Sequence, residues 1–153
     1  MLKAPAARVE LLIHCPVDTA FAAFVEPAVL CKFWLKSASE PLSLGGRARW
    51  TFLVPGAAAE LQVKEWEPPR RMLTAWDDGT TVEWGFAAHP SGGTVVTIHQ
   101  VGFAGDTADA VASALDATQG FTLVLCELKA LLESGKSLHA VRDKAALIEA
   151  GRK

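Results

Sequence analysis

Acid–base chemistry has few candidates among these 153 residues. Of the four histidines, His89 adjoins Pro90 in a turn, His139 falls in the tail, and His14 ends a first strand. His99 alternates against Ile98 and Gln100 and so faces away from their side. A general base needs hydrogen-bond reach to its substrate and often an orienting partner, and no histidine–carboxylate pair is legible. Glu65 shares strand phase with Leu61 and Val63, which leaves two expectations open. It points inward with a raised pKa, or it pairs with Arg47, Arg49, Arg70 or Arg71. Cys15, Cys31 and Cys126 are odd in number and widely spaced, fitting neither a disulfide framework nor a metal motif. Cys126 reads as a small packing residue. Asp77-Asp78-Gly79 reads as a turn, since the remaining oxygen ligands of a cation loop are missing. The residues therefore assign no catalytic group, no metal and no cofactor.

The side chains that stand out instead are apolar. The five tryptophans are Trp34, Trp50, Trp66, Trp76 and Trp84, and tyrosine is absent. Large aromatics dominate core burial, so each has a packing reading beside a pocket-wall reading. By period two, Trp50 shares a face with Phe52, and Trp84 shares one with Val82 and Phe86. If those faces meet a helix, Phe121 and Leu125 oppose them across a cavity, with Trp34 near its entrance. Gln100 lies on one face with Val96 and Ile98. A polar side chain there needs a partner when buried, either within the core or from a ligand that it orients. The expected ligand-binding set is Trp34, Trp50, Phe52, Trp84, Phe86, Gln100, Phe121 and Leu125.

Positioning these faces falls to a series of short elements. Arg8 to His14 alternates as a first strand, Pro16 breaks it, and Asp18 caps or opens a short helix through Ala20 to Phe24. Pro27 starts a second helical piece ending near Phe33-Trp34. After Gly45-Gly46, Arg47 to Val54 alternates with Ala48, Trp50, Phe52 and Val54 on one face. Strands follow at 60–67, 70–76, 81–88 and 94–101, with links short enough to demand antiparallel hairpins. After Gly102-Phe103 the period changes, with Ala114 and Ala117 the first of its apolar positions. Phe121, Val124, Leu125, Leu128, Leu131 and Leu132 mark a helix of about seven turns, with Asp116, Gly120 and Glu127 on its opposite side. Gly135 is its stop. In the tail, Val141, Ala145 and Ile148 share a stripe, consistent with another short helix. Wrapping a curved antiparallel sheet around the long helix is the economical packing.

The chain fits one domain, 1–153, with its core at about 8–135 and a tail at 136–153. Half the residues are hydrophobic and the net charge is −2, without a basic stripe, which argues against nucleic acid as a partner. No apolar run approaches the ~20 residues of a membrane span. No secretory leader is legible, and the cysteines suit a reducing cytoplasm.

The motifs in order are Pro16, Phe33-Trp34, Gly45-Gly46, Glu65-Trp66-Glu67-Pro68-Pro69-Arg70 running to Trp76, Gly93-Thr94 with Gly102-Phe103, and Gly120-Phe121. Over residues 8 to 135 this set resembles the START-like helix-grip superfamily, also called the polyketide cyclase and lipid-transport superfamily. Within it the chain is similar to the branch named after the activator of the ninety-kilodalton heat-shock protein ATPase. It departs from that branch at Phe121, where tryptophan is usual, and at Gln100, where histidine is frequent. The resemblance implies an α+β helix-grip fold: a curved antiparallel sheet of about six strands around a long C-terminal helix, with two short helices after the first strand. It carries over no catalytic residues, because the branch has no shared catalytic set. The function expected is binding of a small hydrophobic molecule, a lipid or an aromatic metabolite, between sheet and helix. Two alternatives stand beside it. One is an enzyme of the cyclase, dehydratase or hydrolase kind; the other is a chaperone-associated interaction module. An exposed strand edge or the tail could support a homodimer.

Overall fold

The computed structural model describes residues 4–151. The chain opens with β1 (Ala7–Ile13), α1 (Val17–Ala23) and α2 (Pro27–Phe33). Strands β2 (Ser37–Ala38), β3 (Arg47–Thr51), β4 (Ala58–Glu67), β5 (Arg71–Trp76), β6 (Thr81–Ala88) and β7 (Thr94–Val101) follow. The long helix α3 (Thr107–Ser134) and a shorter α4 (Ala140–Gly151) complete it. One seven-stranded sheet runs in the order β1-β7-β6-β5-β4-β3-β2. Every neighbouring pair is antiparallel. The helices α1 and α2 carry the chain from β1, which borders β7, to the far edge at β2. The sheet curls around α3, which is the helix-grip arrangement.

Three details differ from the pattern in the sequence. The strand count is seven rather than about six, because β2 pairs only Ser37 with Thr51 and Ala38 with Trp50. Two residues carry no period to read. The strand read as far as Val54 stops at Thr51. There the Phe52 N–H donates to the Ala57 carbonyl and closes a turn around Pro55-Gly56. The third difference lies in β4, whose pairing with β5 shifts between Val63 and Glu65. A bulge inserts one unpaired residue and reverses the alternation after it. Ala59, Leu61 and Val63 are buried before the shift, whereas Trp66 turns inward after it and meets Phe21.

Glu65 is therefore turned outward. It joins Glu67 and Glu83 around Arg71, whose guanidinium donates to all three carboxylates. These bonds to Glu67, Glu83 and Glu65, in that order, hold the Arg71 pKa above its ordinary value. The Glu67-Pro68-Pro69-Arg70 corner is a turn with a cis Pro68–Pro69 bond, closed by the Arg70 N–H on the Glu67 carbonyl at 2.8 Å.

The helix α3 begins at a capping box, where Asp106 Oδ1 accepts from the Asp109 N–H at 2.9 Å. It ends at Gly135, whose φ of 70° is the left-handed cap expected of glycine. It packs chiefly on β1. Lys129 Nζ donates to the Leu12 carbonyl, and Glu133 accepts from the His14 N–H. Glu127, placed by periodicity on the side away from the core, is in fact 2% exposed. Its Oε2 accepts from Ser137 Oγ at 3.0 Å and its Oε1 from the Ala140 N–H at 2.9 Å. The tail folds back over this carboxylate, which satisfies a free amide in the first turn of α4.

Candidate ligand cavity

Strands β3, β5 and β7 end at one rim of the sheet, and a cavity of about 300 Å³ opens there. Phe52, Leu53 and Val54 reach it from the β3–β4 loop, Trp76 from the end of β5, and Gln100 from β7. Trp34, the C-cap of α2, closes the inner side. From α3 come Asp116, Ala117, Gly120, Phe121, Leu123 and Val124, largely at three- and four-residue steps along one face. From α4 come Val141, Lys144, Ala145 and Ile148, the apolar stripe of the tail plus one cation.

Ring packing fixes the aromatic wall. Phe52 stacks on Trp76 with centroids 6.3 Å apart and planes at 23°. Trp34 meets Phe121 edge-on at 6.0 Å and Trp50 at 5.1 Å. Trp76 is oriented by its indole N–H, which donates to Thr74 Oγ1 at 2.9 Å. Trp84 Nε1 donates to the same oxygen at 3.1 Å, and the Thr74 hydroxyl donates to the Val82 carbonyl.

Of the expected ligand-binding set, Trp34, Phe52, Gln100 and Phe121 lie on the cavity wall. Trp50, Trp84, Phe86 and Leu125 do not; they are sealed in the core. Their faces are inward as the alternation requires, but α1 and α2 fill the space above them. Phe24 sits 5.0 Å from Trp84 and 5.9 Å from Phe86, and Phe21 sits 5.3 Å from Phe86. Leu125 lies one turn beyond Phe121 along α3, beneath the same packing, and is 1% exposed. Fully burying one aliphatic or Phe-sized side chain contributes about 1.5–3 kcal/mol, so this layer is core energetics rather than lining.

Wall residues outside the expected set include Trp76, Val124, the α4 stripe, and also Asp116 and Gly120, which periodicity places on the side of α3 away from its apolar face. Trp76 shares strand phase with the buried Met72 and Thr74, and that phase was the signal available for it. The α4 stripe was visible as a pattern; its docking against α3 was not.

Asp116 and Lys144 border the cavity, whereas the histidines, Glu65, the cysteines and Asp78 lie elsewhere. His14, His89 and His139 are exposed. His99 pairs across the sheet with Arg8 and Glu83, on the side away from Gln100. Glu65 is held by Arg71 on the outer face. Cys15 is buried, and burial pushes its thiol up, away from thiolate chemistry. Cys126 is half-buried in α3. Asp78 caps its own turn by accepting from the Thr80 N–H. Among the described residues no group of three or more His, Cys, Asp or Glu is arranged to hold a metal. Among them, too, no helix is long and apolar enough to cross a membrane.

Comparison with known proteins places this architecture. The structure of protein SSP2350 from Staphylococcus saprophyticus is similar with a TM-score of 0.76 at 26% identity, over 87% of this chain and 95% of that one. DynU16, a protein in the dynemicin biosynthetic locus, gives 0.75 at 21% identity over 88% of this chain; the match spans only 49% of DynU16. The Aha1 dimer from Colwellia psychrerythraea gives 0.75 at 16% identity, over 86% and 98%. These last two show likeness of fold alone. No curated protein matches. A family model, described as Activator of Hsp90 ATPase homolog 1-like protein, matches residues 14–133. That match runs from the end of β1 to the last turn of α3, most of the chain, and this protein therefore belongs to the family of Activator of Hsp90 ATPase homolog 1-like proteins.

Proposed function

We propose that this protein binds a small apolar molecule in the cavity between the rim of the sheet, α3 and α4. One observation carries the reading: Gly120, in the middle of α3, faces the cavity, and a Cβ built there meets nothing within 4 Å. Glycine in a helix interior costs about 1 kcal/mol relative to alanine. Neither a close backbone neighbour nor a positive φ requires it at this position. What its missing side chain preserves is open space. The surrounding aromatic and aliphatic wall suits an apolar occupant, and ligand pockets begin at ~300 Å³. A cavity of about 300 Å³ favours a compact aromatic metabolite over a two-chain lipid.

Filling the notch tests the proposal. Gly120→Ala should raise stability by about 0.5–1 kcal/mol, since it removes the helix penalty without a clash. Gly120→Leu should fold equally well yet lose binding of naphthalene-sized aromatics by about tenfold or more, followed by quenching of tryptophan fluorescence. Trp34 and Trp76 on the wall are the reporters. If Gly120→Leu binds such probes as well as the unaltered chain, or if no apolar probe binds the unaltered chain, the proposal fails.

A further inference from the structure

Gln100 is 5% exposed and belongs to the cavity wall. Its Nε2 donates to Thr80 Oγ1 at 2.9 Å. Thr80 is itself held by Asp78, whose Oδ1 lies 2.9 Å from the Thr80 backbone nitrogen and 2.6 Å from its hydroxyl. A carboxylate only accepts hydrogen bonds, and a hydroxyl has one hydrogen to give. With that hydrogen directed to Asp78, Thr80 Oγ1 can meet Gln100 only as an acceptor. The amide NH₂ must then face Thr80, so the placing of nitrogen and oxygen follows from the network rather than from shape.

The amide oxygen is left over. Gln100 Oε1 has no hydrogen-bond partner among the described residues, yet it is not sealed in the core as Trp50 Nε1 is. The opening beside Gln100 is the cavity. Asp78, Thr80 and Gln100 thus form a directed chain that starts at an exposed turn and ends in a fixed acceptor on an apolar wall.

We infer that the cavity selects apolar molecules carrying one hydrogen-bond donor, a hydroxyl or an N–H, and that Gln100 Oε1 receives that donor. This rests on the cavity being a ligand site, as proposed above. A buried acceptor with fixed orientation discriminates against a ligand that cannot pair with it, because its own hydration is lost without replacement. Asp116 on α3 also borders the cavity and could accept a donor, so the test must separate the two.

Two probes of nearly equal shape do so: 2-naphthol, which carries a donor, and 2-methylnaphthalene, which carries none. Both are titrated by calorimetry into the full chain. Gln100→Leu should weaken 2-naphthol by about tenfold and leave 2-methylnaphthalene unchanged or tighter. Thr80→Val should weaken 2-naphthol by a smaller factor, because the amide is then free to turn its NH₂ toward the ligand. That variant keeps the test decisive should Gln100→Leu fail to fold. A 2-naphthol affinity untouched by both substitutions, or an equal loss for both probes, overturns the assignment to Gln100 while leaving the cavity a ligand site. If neither probe binds the unaltered chain, the ligand-site reading falls as well.

Discussion

At the scale of single residues, Thr74 ties the cavity wall to the core. It is fully buried. Its oxygen accepts from the indoles of Trp76 on the wall and Trp84 within. Thr74→Val keeps the shape and removes the shared acceptor. An unsatisfied buried donor costs about 1–3 kcal/mol, and Trp76, only half-buried, can recover water. The expected loss is therefore about 2 kcal/mol, read as a lower urea midpoint at unchanged slope. Thr74→Ser, which keeps the oxygen, should stay within about 1 kcal/mol of the unaltered chain. Equal midpoints for Thr74→Val and the unaltered chain would mean that the indoles find other acceptors. The wall of the candidate cavity was half legible at this scale for a definite reason. Alternation gives the face on which Trp50, Trp84 and Phe86 stand, but not the depth to which Phe21 and Phe24 fill the space before them. Gln100 was open to two readings, and the structure gives it both an internal partner and a place on the wall.

Elements are joined by polar bonds that hydrophobic periodicity does not reveal. Glu133, in the last turn of α3, accepts from Lys129 Nζ and from the His14 N–H just beyond β1. Lys129 first, then the His14 amide, hold its carboxyl below the ordinary range. A group with a depressed folded pKa binds fewer protons folded than unfolded, so it adds stability above its unfolded value near 4.3. That contribution disappears as pH falls through the folded value. Glu133→Gln should accordingly lower the urea midpoint near pH ~7, and the gap should close below pH ~4. A gap of the same size at both ends of that range would assign the loss to packing instead. The bulge in β4 illustrates the same limit. Glu65 follows the inward phase of Leu61 and Val63 in sequence, and one extra residue sends it outward to Arg71. Nothing in the residue types announces that insertion. Glu127 was misplaced because helical periodicity sees one apolar face, whereas α3 is covered on a second by α4.

For the whole molecule, order and link length were sufficient. Hairpin links of a few residues force antiparallel neighbours, a long amphipathic helix needs a sheet to cover it, and the observed sheet and α3 follow from those two constraints. Only β2, too short to show a period, was missed. The segment least constrained by that logic is the tail, and it supplies one side of the cavity. The family match ends at Glu133, before α4 begins at Ala140. Within α4 only Ala145 is buried, and the helix rests on α3 rather than on the sheet. Its anchor is Glu127, which releases a carboxylate to water when the tail is gone. A chain ending at Lys136 should therefore keep its sheet and α3 and lose about 1–2 kcal/mol, a fall of roughly 2–8 °C in Tm. The same truncation removes Val141, Ala145 and Ile148 from the wall. Naphthalene-sized probes should then bind about tenfold more weakly, mainly through faster release, because a lost wall shortens residence more than it slows encounter. Stopped-flow quenching of tryptophan fluorescence separates the two rates. Unchanged release from the shortened chain would leave α4 a bystander, and loss of the folded state would make it part of the core instead.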